Sequence, residues 1–257
     1  MLRGVDEAAL HHILTWVEIG LAFATLGALS MVRAPYGRHY DGSGWGPRVP
    51  NWLGWIIMEC PAVLLFLGVF ALGDHRGQWV PLLLMGLWQL HYVHRTFVFP
   101  FRLHSRHRPM PLLIAGLGMT FNGLNAYVNA RWISHLGHYA DAWLLDPRLL
   151  IGVAVFATGY AINKRADRML LALRKPGETG YKIPRGWLYE LISCPNYLGE
   201  ILEWVGWAIA TWSLPGLAFA LYTAANVGPR ALANHRWYRD KFKDYPAHRK
   251  ALVPFVL

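Results

Sequence analysis

NWLGWIIMECPAVLLFLGVFALG, residues 51–73, is an almost uninterrupted apolar segment in which Glu59 is the only charged residue. A helix needs about 20 mostly apolar residues to cross the hydrocarbon core of a bilayer, and this segment has that length. The segment therefore predicts a transmembrane helix. An ionisable group at membrane depth is energetically unfavourable, so we interpret Glu59 as a candidate functional residue.

Six further apolar segments have a similar length. They lie at residues 9–32, 79–101, 110–130, 147–171, 197–213 and 215–236. Hydrophobic residues make up 54% of the 257 positions and charged residues 16%, whereas about a quarter of a typical soluble domain is charged. This composition excludes a disordered chain, a disulfide-stapled secreted domain and a free nucleic-acid-binding module. We expect an all-α integral membrane protein with seven transmembrane helices.

The distribution of positive charge predicts the orientation of these helices. Of 25 Lys and Arg residues, 20 fall in the loops or helix ends after spans 1, 3 and 5 and in the C-terminal region, and 4 fall on the other side. Basic loops stay cytoplasmic, which places the N-terminus outside and the C-terminus in the cytoplasm. The basic face can bind an anionic cofactor, or it can serve only to set the topology.

Polar residues recur at helical spacing inside or at the ends of the spans. They are Glu59 in span 2; Tyr92 and Arg95 in span 3, on one stripe with the aromatic Phe99; Asn163 and Asp167 near the end of span 5, with Arg174 seven residues further on; Asn196, Glu200 and Glu203 in span 6; and Arg230, Asn234 and Tyr238 in span 7. Residues three, four and seven apart share a helix face. The stripes predict a polar cleft that opens to the cytoplasm, although each alone can be a contact between helices.

Two other patterns give weak signals. The glycines of DGSGWGP at 41–47 lack the order and the strand context of a dinucleotide-binding loop, so we interpret this segment as a flexible loop. HxxH pairs occur at His91/His94, His104/His107 and His135/His138. The charge distribution places the third pair on the opposite side of the membrane from the other two, so we predict no metal site.

Three segments together resemble the steroid 5α-reductase family. They are HYVHRTFVFPFRLHSRHRPMP (91–111), the run from NKRADRMLLALRKPGETGYKIPRGW through ELISCPNYLGEILEWVGWAIATWSLPGLAFA (163–220), and RALANHRWYRDKFKDYPAHRKALVPFVL (230–257). The resemblance spans about residues 50–257. It implies a seven-helix membrane enzyme that uses NADPH to reduce the C4=C5 double bond of a 3-oxo-Δ4-steroid.

The resemblance also assigns roles to individual positions. Glu59 and Tyr92 match the pair that hydrogen-bonds the steroid ketone, and Met58 and Phe99 match substrate-side positions where many relatives have Gln and Tyr. The positions that match the cofactor lining are Arg95, Arg108, Asn163, Asp167, Arg174, Tyr181, Asn196, Glu200, Arg230, Asn234, His235 and Tyr238. Residues 1–109 would serve mainly the substrate and 110–257 mainly NADPH, within a single membrane domain.

The chemistry of enone reduction explains the implied pair. Hydride delivered to the β-carbon pushes negative charge onto the ketone oxygen, and donors already in place must stabilise that charge. The sequence neighbours of Glu59 are Ile56, Ile57, Met58 and Cys60, so we expect its neutral, protonated form to donate to the ketone together with Tyr92. The lone acid Glu18 in span 1 is interpreted with its span as closing the pocket.

Two alternatives remain open from the residues. One is a membrane methyltransferase with S-adenosylmethionine in a similar C-terminal cleft, and the other is a non-catalytic sterol-binding membrane protein. The expected partners are a steroid or related enone lipid and membrane lipid, with no nucleic acid, for a monomer. Arg outnumbers Lys 19 to 6, which suggests a GC-rich bacterial genome and an inner membrane; the endoplasmic reticulum is the eukaryotic equivalent.

Overall fold

A computed structural model of the chain describes residues 6–32, 46–174, 178 and 180–257. Most of the Gly-rich loop predicted at 41–47 lies outside these residues. The described helices are α1 (Glu7–Met31), α2 (Asn51–Ala71), α3 (Trp79–Phe97), the short α4 (Phe99–Arg102), α5 (Leu112–Arg131), α6 (Pro147–Ala172), α7 (Pro195–Thr211) and α8 (Leu214–Lys241). The seven long helices coincide with the seven predicted apolar segments, and the helical fold class is confirmed.

Two short strands interrupt the helical pattern. β1 (Arg48–Pro50) pairs antiparallel with β2 (Pro109–Pro111), and Val49 lies opposite Met110. Because β2 uses residues 109–111 for this pairing, α5 begins two residues later than the segment predicted to start at 110. The Met110 side chain packs against Gly54, where a Cβ would clash with it, so the strand pair is fixed to the first turn of α2.

The helix starts follow from local capping. Asp6 accepts a hydrogen bond from the Ala8 N–H, and Asp146 accepts one from the Arg148 N–H. Ser213 caps α8 through the Gly216 N–H, directly after Trp212 in the left-handed region at φ 45°. Side-chain acceptors of this kind satisfy backbone donors that have no partner within the helix. Residues 212 and 213 thus form a tight turn between α7 and α8.

Helices α6 and α7 approach each other through glycines spaced seven residues apart. A Cβ on Gly199 would lie 2.5 Å from the backbone N of Asn163, and a Cβ on Gly206 would lie 2.6 Å from the carbonyl oxygen of Gly152. A Cβ on Gly159 would clash with the backbone of Glu203. Small residues let helix backbones approach closely, and here they bring the polar stripes of the two helices together.

The core of the bundle is aromatic. Trp88 on α3 is fully buried, and its indole N–H donates to the Ala62 carbonyl at 2.8 Å. Its ring centroid lies 4.5 Å from Phe66, 5.4 Å from Trp204 and 5.3 Å from Trp207. These contacts hold α2, α3 and α7 around one centre, next to which the polar residues described below are placed.

Many large apolar side chains point away from the core. Phe23 on α1, Leu64 on α2 and Leu117 on α5 are each about six-tenths exposed, and exposed leucines also lie on α3, α6 and α8. By length and composition alone, α1 and α2 are the two helices in the described residues that can cross a membrane. A broad apolar exterior of this kind marks a surface that contacts something other than water.

Candidate active site

Glu59 on α2 is buried and is contacted from two neighbouring helices. The guanidinium Nε of Arg95 on α3 donates to its Oε1 at 3.5 Å, and the Asn122 amide on α5 donates to its Oε2 at 3.2 Å. The expectation that Glu59 sits among apolar groups came from its sequence neighbours. In space its nearest polar partners come from other helices, because residues adjacent in a helix point in different directions.

Arg95 connects the substrate-side acid to the C-terminal helices. Its Nη1 lies 3.8 Å from Glu200 Oε2 on α7, so one guanidinium serves Glu59 and Glu200 together. The same guanidinium lies over the Trp55 ring at 4.7 Å and over the Phe99 ring at 5.7 Å. Planar Arg suits this combination of stacking and forked hydrogen bonding better than Lys does.

Tyr92 lies one helical turn before Arg95 and belongs to the aromatic core. Its ring centroid is 4.9 Å from Trp88 and 5.6 Å from Trp204. Its hydroxyl is within electrostatic range of Glu59, Glu200 and Arg95. The structure therefore brings Tyr92, Glu59 and Arg95 into one buried neighbourhood.

Asn122 also belongs to this neighbourhood, although it was not predicted from the sequence. Its amide donates both to Glu59 and, at 2.8 Å, to the carbonyl oxygen of Met58. The Met58 side chain packs against Gly118 on α5. The signal was present, because Asn122, Asn125 and Asn129 form a polar stripe at i, i+3 and i+7 inside span 4.

A second group of polar residues joins α6 to α7. The Asn163 amide donates to the Asn196 carbonyl oxygen at 3.0 Å, and the Asn196 amide donates to Asp167 Oδ1 at 3.2 Å. Asp167 and Lys164 both interact electrostatically with Arg95. The close glycine packing described above makes these short contacts possible, and they link the second group to the first.

A cavity of about 270 Å³ opens beside this second group. Its polar and aromatic wall consists of Phe99, Asp167, Arg174, Tyr181, Lys182, Ser193, Asn196, Tyr197, Asn234 and Tyr238. Arg174 lies over the Tyr181 ring at 5.4 Å. Seven predicted site residues thus line one cavity, whereas Lys182, Ser193 and Tyr197 were not predicted.

The donors of this wall fit a phosphate-bearing ligand. Arg174 and Lys182 supply positive charge, and the amides of Asn196 and Asn234 supply neutral hydrogen-bonding groups. Arg binds phosphate through paired donors. Ligand pockets usually measure about 300–1,000 Å³, so a volume of about 270 Å³ is just below the lower end of that range.

The C-terminal segment forms one side of the cavity. The Ser193 hydroxyl lies 2.6 Å from His235 Nδ1 and 2.6 Å from the Tyr245 hydroxyl, and it donates to the Lys250 carbonyl at 3.2 Å. The Ser193 hydroxyl therefore joins the 193–196 segment, α8 and the chain end in one network. His235, predicted as a cofactor residue, holds this wall through Ser193.

Glu190 and Arg249 fix the same wall from the outside. The fully buried Arg249 side chain donates to the Pro184 carbonyl at 2.9 Å and to Glu190 Oε2 at 3.1 Å. A hydrogen bond from the Gly186 N–H, followed by the pairing with Arg249, lowers the pKa of the Glu190 carboxyl below its ordinary value. Gly186 adopts φ +87°, a conformation that disfavours residues with a Cβ.

Two predicted cofactor residues lie elsewhere. Arg108 is exposed just before β2, where its backbone carbonyl accepts from the Asn51 N–H at 2.9 Å. Arg230 on α8 is in electrostatic range of Tyr222. Neither side chain is among the residues of the cavity wall, so their assignment depends on the resemblance alone.

The histidine pairs have separate partners. His91 Nδ1 lies 2.8 Å from Glu203 Oε1 in the buried core. His104 contacts the Leu171 carbonyl at 2.9 Å, and His135 lies 3.1 Å from Asp74. In the described ranges no three His, Cys, Asp or Glu side chains are grouped to hold a metal ion.

Comparisons with known proteins show to which family the chain is similar. The sequence profile of the 3-oxo-5-alpha-steroid 4-dehydrogenase family matches residues 108–257. The chain is 46% identical to steroid 5-alpha-reductase DET2 of Arabidopsis thaliana over 95% of each chain. It is 41% identical to 3-oxo-5-alpha-steroid 4-dehydrogenase 1 of Bos taurus and 40% identical to that of Homo sapiens, in each case over 98% of each chain.

Proposed function

The chain belongs to the 3-oxo-5-alpha-steroid 4-dehydrogenase family, and we propose that it reduces the C4=C5 double bond of 3-oxo-Δ4-steroids to 5α-dihydrosteroids with NADPH. The observation that carries the proposal is the position of Glu59 and Tyr92 in one buried neighbourhood, joined through Arg95 to Glu200 and the polar cavity wall. Family membership favours this reduction over methyl transfer and over passive sterol binding.

The ketone would be bound by Glu59 and Tyr92. As negative charge grows on the ketone oxygen, the Tyr92 phenol and a protonated Glu59 donate hydrogen bonds to it. Asn122 holds the other carboxyl oxygen of Glu59, which fixes the orientation of the acid. Donors that are oriented in advance stabilise the transition state without reorganisation during the reaction.

The charge balance around Arg95 supports a protonated Glu59. Glu59, Glu200, Asp167 and Glu203 are four carboxyl groups connected electrostatically to two cations, Arg95 and Lys164. Unpaired buried charges are strongly unfavourable, so the cluster is closest to neutral when two of the four carboxyls carry protons. We assign one of these protons to Glu59, where the ketone needs a donor.

NADPH would be held by the cavity wall and the residues next to it. When bound, NADPH supplies the hydride that adds to C5 of the steroid. Arg174, with Lys182 beside it, would bind phosphate oxygens, and the amides of Asn196 and Asn234 would bind ribose or carboxamide groups. Arg95, Asn163, Asp167, Glu200, Tyr181, His235 and Tyr238 would orient this site, with Arg108 and Arg230 assigned by family resemblance.

This assignment divides the single membrane domain by role. Residues 1–109 would contact mainly the steroid, with Met58 and Phe99 shaping its pocket, and residues 110–257 would contact mainly NADPH. Arg95 and Phe99 belong to both parts, because Phe99 lines the polar cavity while it packs against Trp55 at 5.3 Å. The two parts would therefore meet at Arg95.

We also propose that all seven long helices span a membrane, with the N-terminus outside and the C-terminus cytoplasmic. The exposed apolar residues on α1, α2, α3, α5, α6 and α8 support lipid contact, and the loop charges support the orientation. The protein would act as a multi-pass monomer in a bacterial inner membrane. Cysteines introduced at the exposed Asp74 and Arg106 should react from opposite sides with a membrane-impermeant maleimide.

The direct test of the function uses purified protein in detergent with testosterone or progesterone. NADPH carrying deuterium at the transferred position should lose its nicotinamide absorbance, and the steroid product should carry one deuterium at C5. A product methylated in the presence of S-adenosylmethionine would support the rival enzyme. Steroid binding without loss of nicotinamide absorbance would contradict the proposal.

A further inference from the structure

Glu18 on α1 is a buried acid without a hydrogen-bonding partner. Its side chain is 0% exposed, and both carboxyl oxygens lack a hydrogen bond within the described residues. A buried polar group without a partner is energetically unfavourable. An acid in this position is therefore a candidate for binding a ligand group that enters the bundle.

The other polar residues on the same face of α1 have partners. His11 is 2.9 Å from the Val128 carbonyl oxygen, and the Thr15 hydroxyl donates to the His11 carbonyl at 2.9 Å. His11, Thr15, Glu18 and Ala22 form the buried stripe of α1. Among the described residues, Glu18 therefore lacks a hydrogen-bonding partner, whereas His11 and Thr15 on the same stripe have one.

Glu18 interacts electrostatically with one member of the proposed ketone-binding pair. Tyr92 is in electrostatic range of both Glu59 and Glu18, and Tyr222 on α8 is also in range of Glu18. Tyr222 stacks on Phe121, and Phe121 directly precedes Asn122, the residue that donates to Glu59. Two adjacent residues of α5 therefore contact Glu59 and Tyr222, the tyrosine in range of Glu18.

We propose that Glu18 binds the second polar group of the substrate, a hydroxyl or ketone at the end of the steroid away from the C3 ketone. This inference rests on the proposed function and adds a specificity-determining residue to it. A steroid is a rigid apolar ring system, so fixing its C3 end also fixes the position of its far end. The Glu18 carboxyl accepts from a hydroxyl or, protonated, donates to a ketone.

The test compares steroids that differ only at the far end. Androst-4-en-3-one has no substituent there, whereas testosterone carries a hydroxyl and androst-4-ene-3,17-dione a ketone. A site built for a hydrogen bond discriminates strongly against an analogue that lacks the group. We expect the wild-type kcat/KM for testosterone to exceed that for androst-4-en-3-one about tenfold, since one hydrogen bond to a buried group that otherwise lacks a partner corresponds to about that factor.

Variants at position 18 test whether Glu18 causes the preference for testosterone over androst-4-en-3-one. Glu18→Leu should bring the ratio of the two kcat/KM values close to one, and Glu18→Gln, which keeps a donor and an acceptor, should retain most of it. Thr15→Val is the matched control, because it removes a buried polar group from the same stripe and should leave the ratio unchanged. NADPH affinity should be unchanged in all three variants.

Each outcome bears on a different part of the account. A wild-type enzyme that reduces all three steroids equally well overturns the role of Glu18, even if the Leu variant fails to fold. An unchanged ratio in Glu18→Leu overturns it as well. A wild-type protein that reduces none of the three overturns the proposed function and, with it, this inference.

Discussion

Arg95 on α3 reaches Glu59 on α2, with its Nε 3.5 Å from Glu59 Oε1. The guanidinium is 17% exposed and the carboxyl 8%, so the pair is largely shielded from water. The distance is at the long end of hydrogen-bonding geometry. Because Arg95 interacts with both Glu59 and Glu200, its positive charge is shared between two carboxyl groups. Glu59 can therefore carry a proton and donate it in a hydrogen bond to the substrate.

Replacing Arg95 with Met should destabilise the protein. Glu59 and Glu200 lose their shared cation, and because both contacts are long we expect a loss of about 1.5–3 kcal/mol in the free energy of unfolding, the range for hydrogen bonds to charged groups. Denaturant unfolding in detergent measures this change. Arg102→Met, at an exposed position on α4, should change the free energy by less than about 0.5 kcal/mol. Equal effects would contradict the described role of Arg95.

Adding a methyl group at Gly159 should separate α6 from α7. Its Cβ would meet the backbone of Glu203, and overpacking of this kind costs about 1–3 kcal/mol. Gly159→Ala should also reduce reductase activity, because Asn163 and Asn196 move apart. Gly116→Ala is the control, since no atom lies near its added Cβ, and it should be neutral or slightly stabilising. Retained stability in Gly159→Ala would show that the helices tolerate a wider separation.

The pairing of Glu190 with Arg249 predicts a pH dependence of stability. The pKa of Glu190 is lowered on folding, so its contribution is present above the ordinary value of 4.5 and is lost as the pH falls through the lower folded value. The difference in melting temperature between wild type and Glu190→Gln should therefore be largest near pH 7 and shrink below about pH 4.5. The contribution is small, because the carboxyl is 43% exposed. A difference that grows in acid would contradict the assignment.

Arg174→Ala should weaken NADPH binding more than catalysis. Losing a charged hydrogen bond to phosphate costs about 1.5–3 kcal/mol, which corresponds to a Kd raised at least tenfold. The kcat at saturating NADPH should change little, since Arg174 lines the polar cavity and is not a member of the proposed ketone-binding pair. Arg168→Ala, at an exposed position on α6, is the control in the same fluorescence titration. An unchanged Kd for Arg174→Ala would count against the cavity as the phosphate site.

The amphipathic and apolar patterns predicted much of this architecture. The seven long helices follow from residues within single segments, whereas the pairing of Glu59 with Tyr92 across α2 and α3 was implied by the family resemblance. Asn122 and Ser193 were missed because their importance depends on contacts with other helices. The seven-residue spacing of Gly152 and Gly159, and of Gly199 and Gly206, was visible in the sequence. Only the packing of α6 on α7 shows that these two pairs of glycines face each other.

The most direct test of the central claim is the measurement of kcat and NADPH Kd for Glu59→Gln, with Glu7→Gln as an exposed control. Gln preserves the shape of the side chain but replaces the acidic O–H, which can donate a strong hydrogen bond to the enolate, with a much weaker and non-acidic amide N–H donor. Loss of one such donor lowers kcat by about 100–1,000-fold, and we expect this for testosterone while the NADPH Kd stays within about twofold. A kcat equal to that of the wild type would contradict the account.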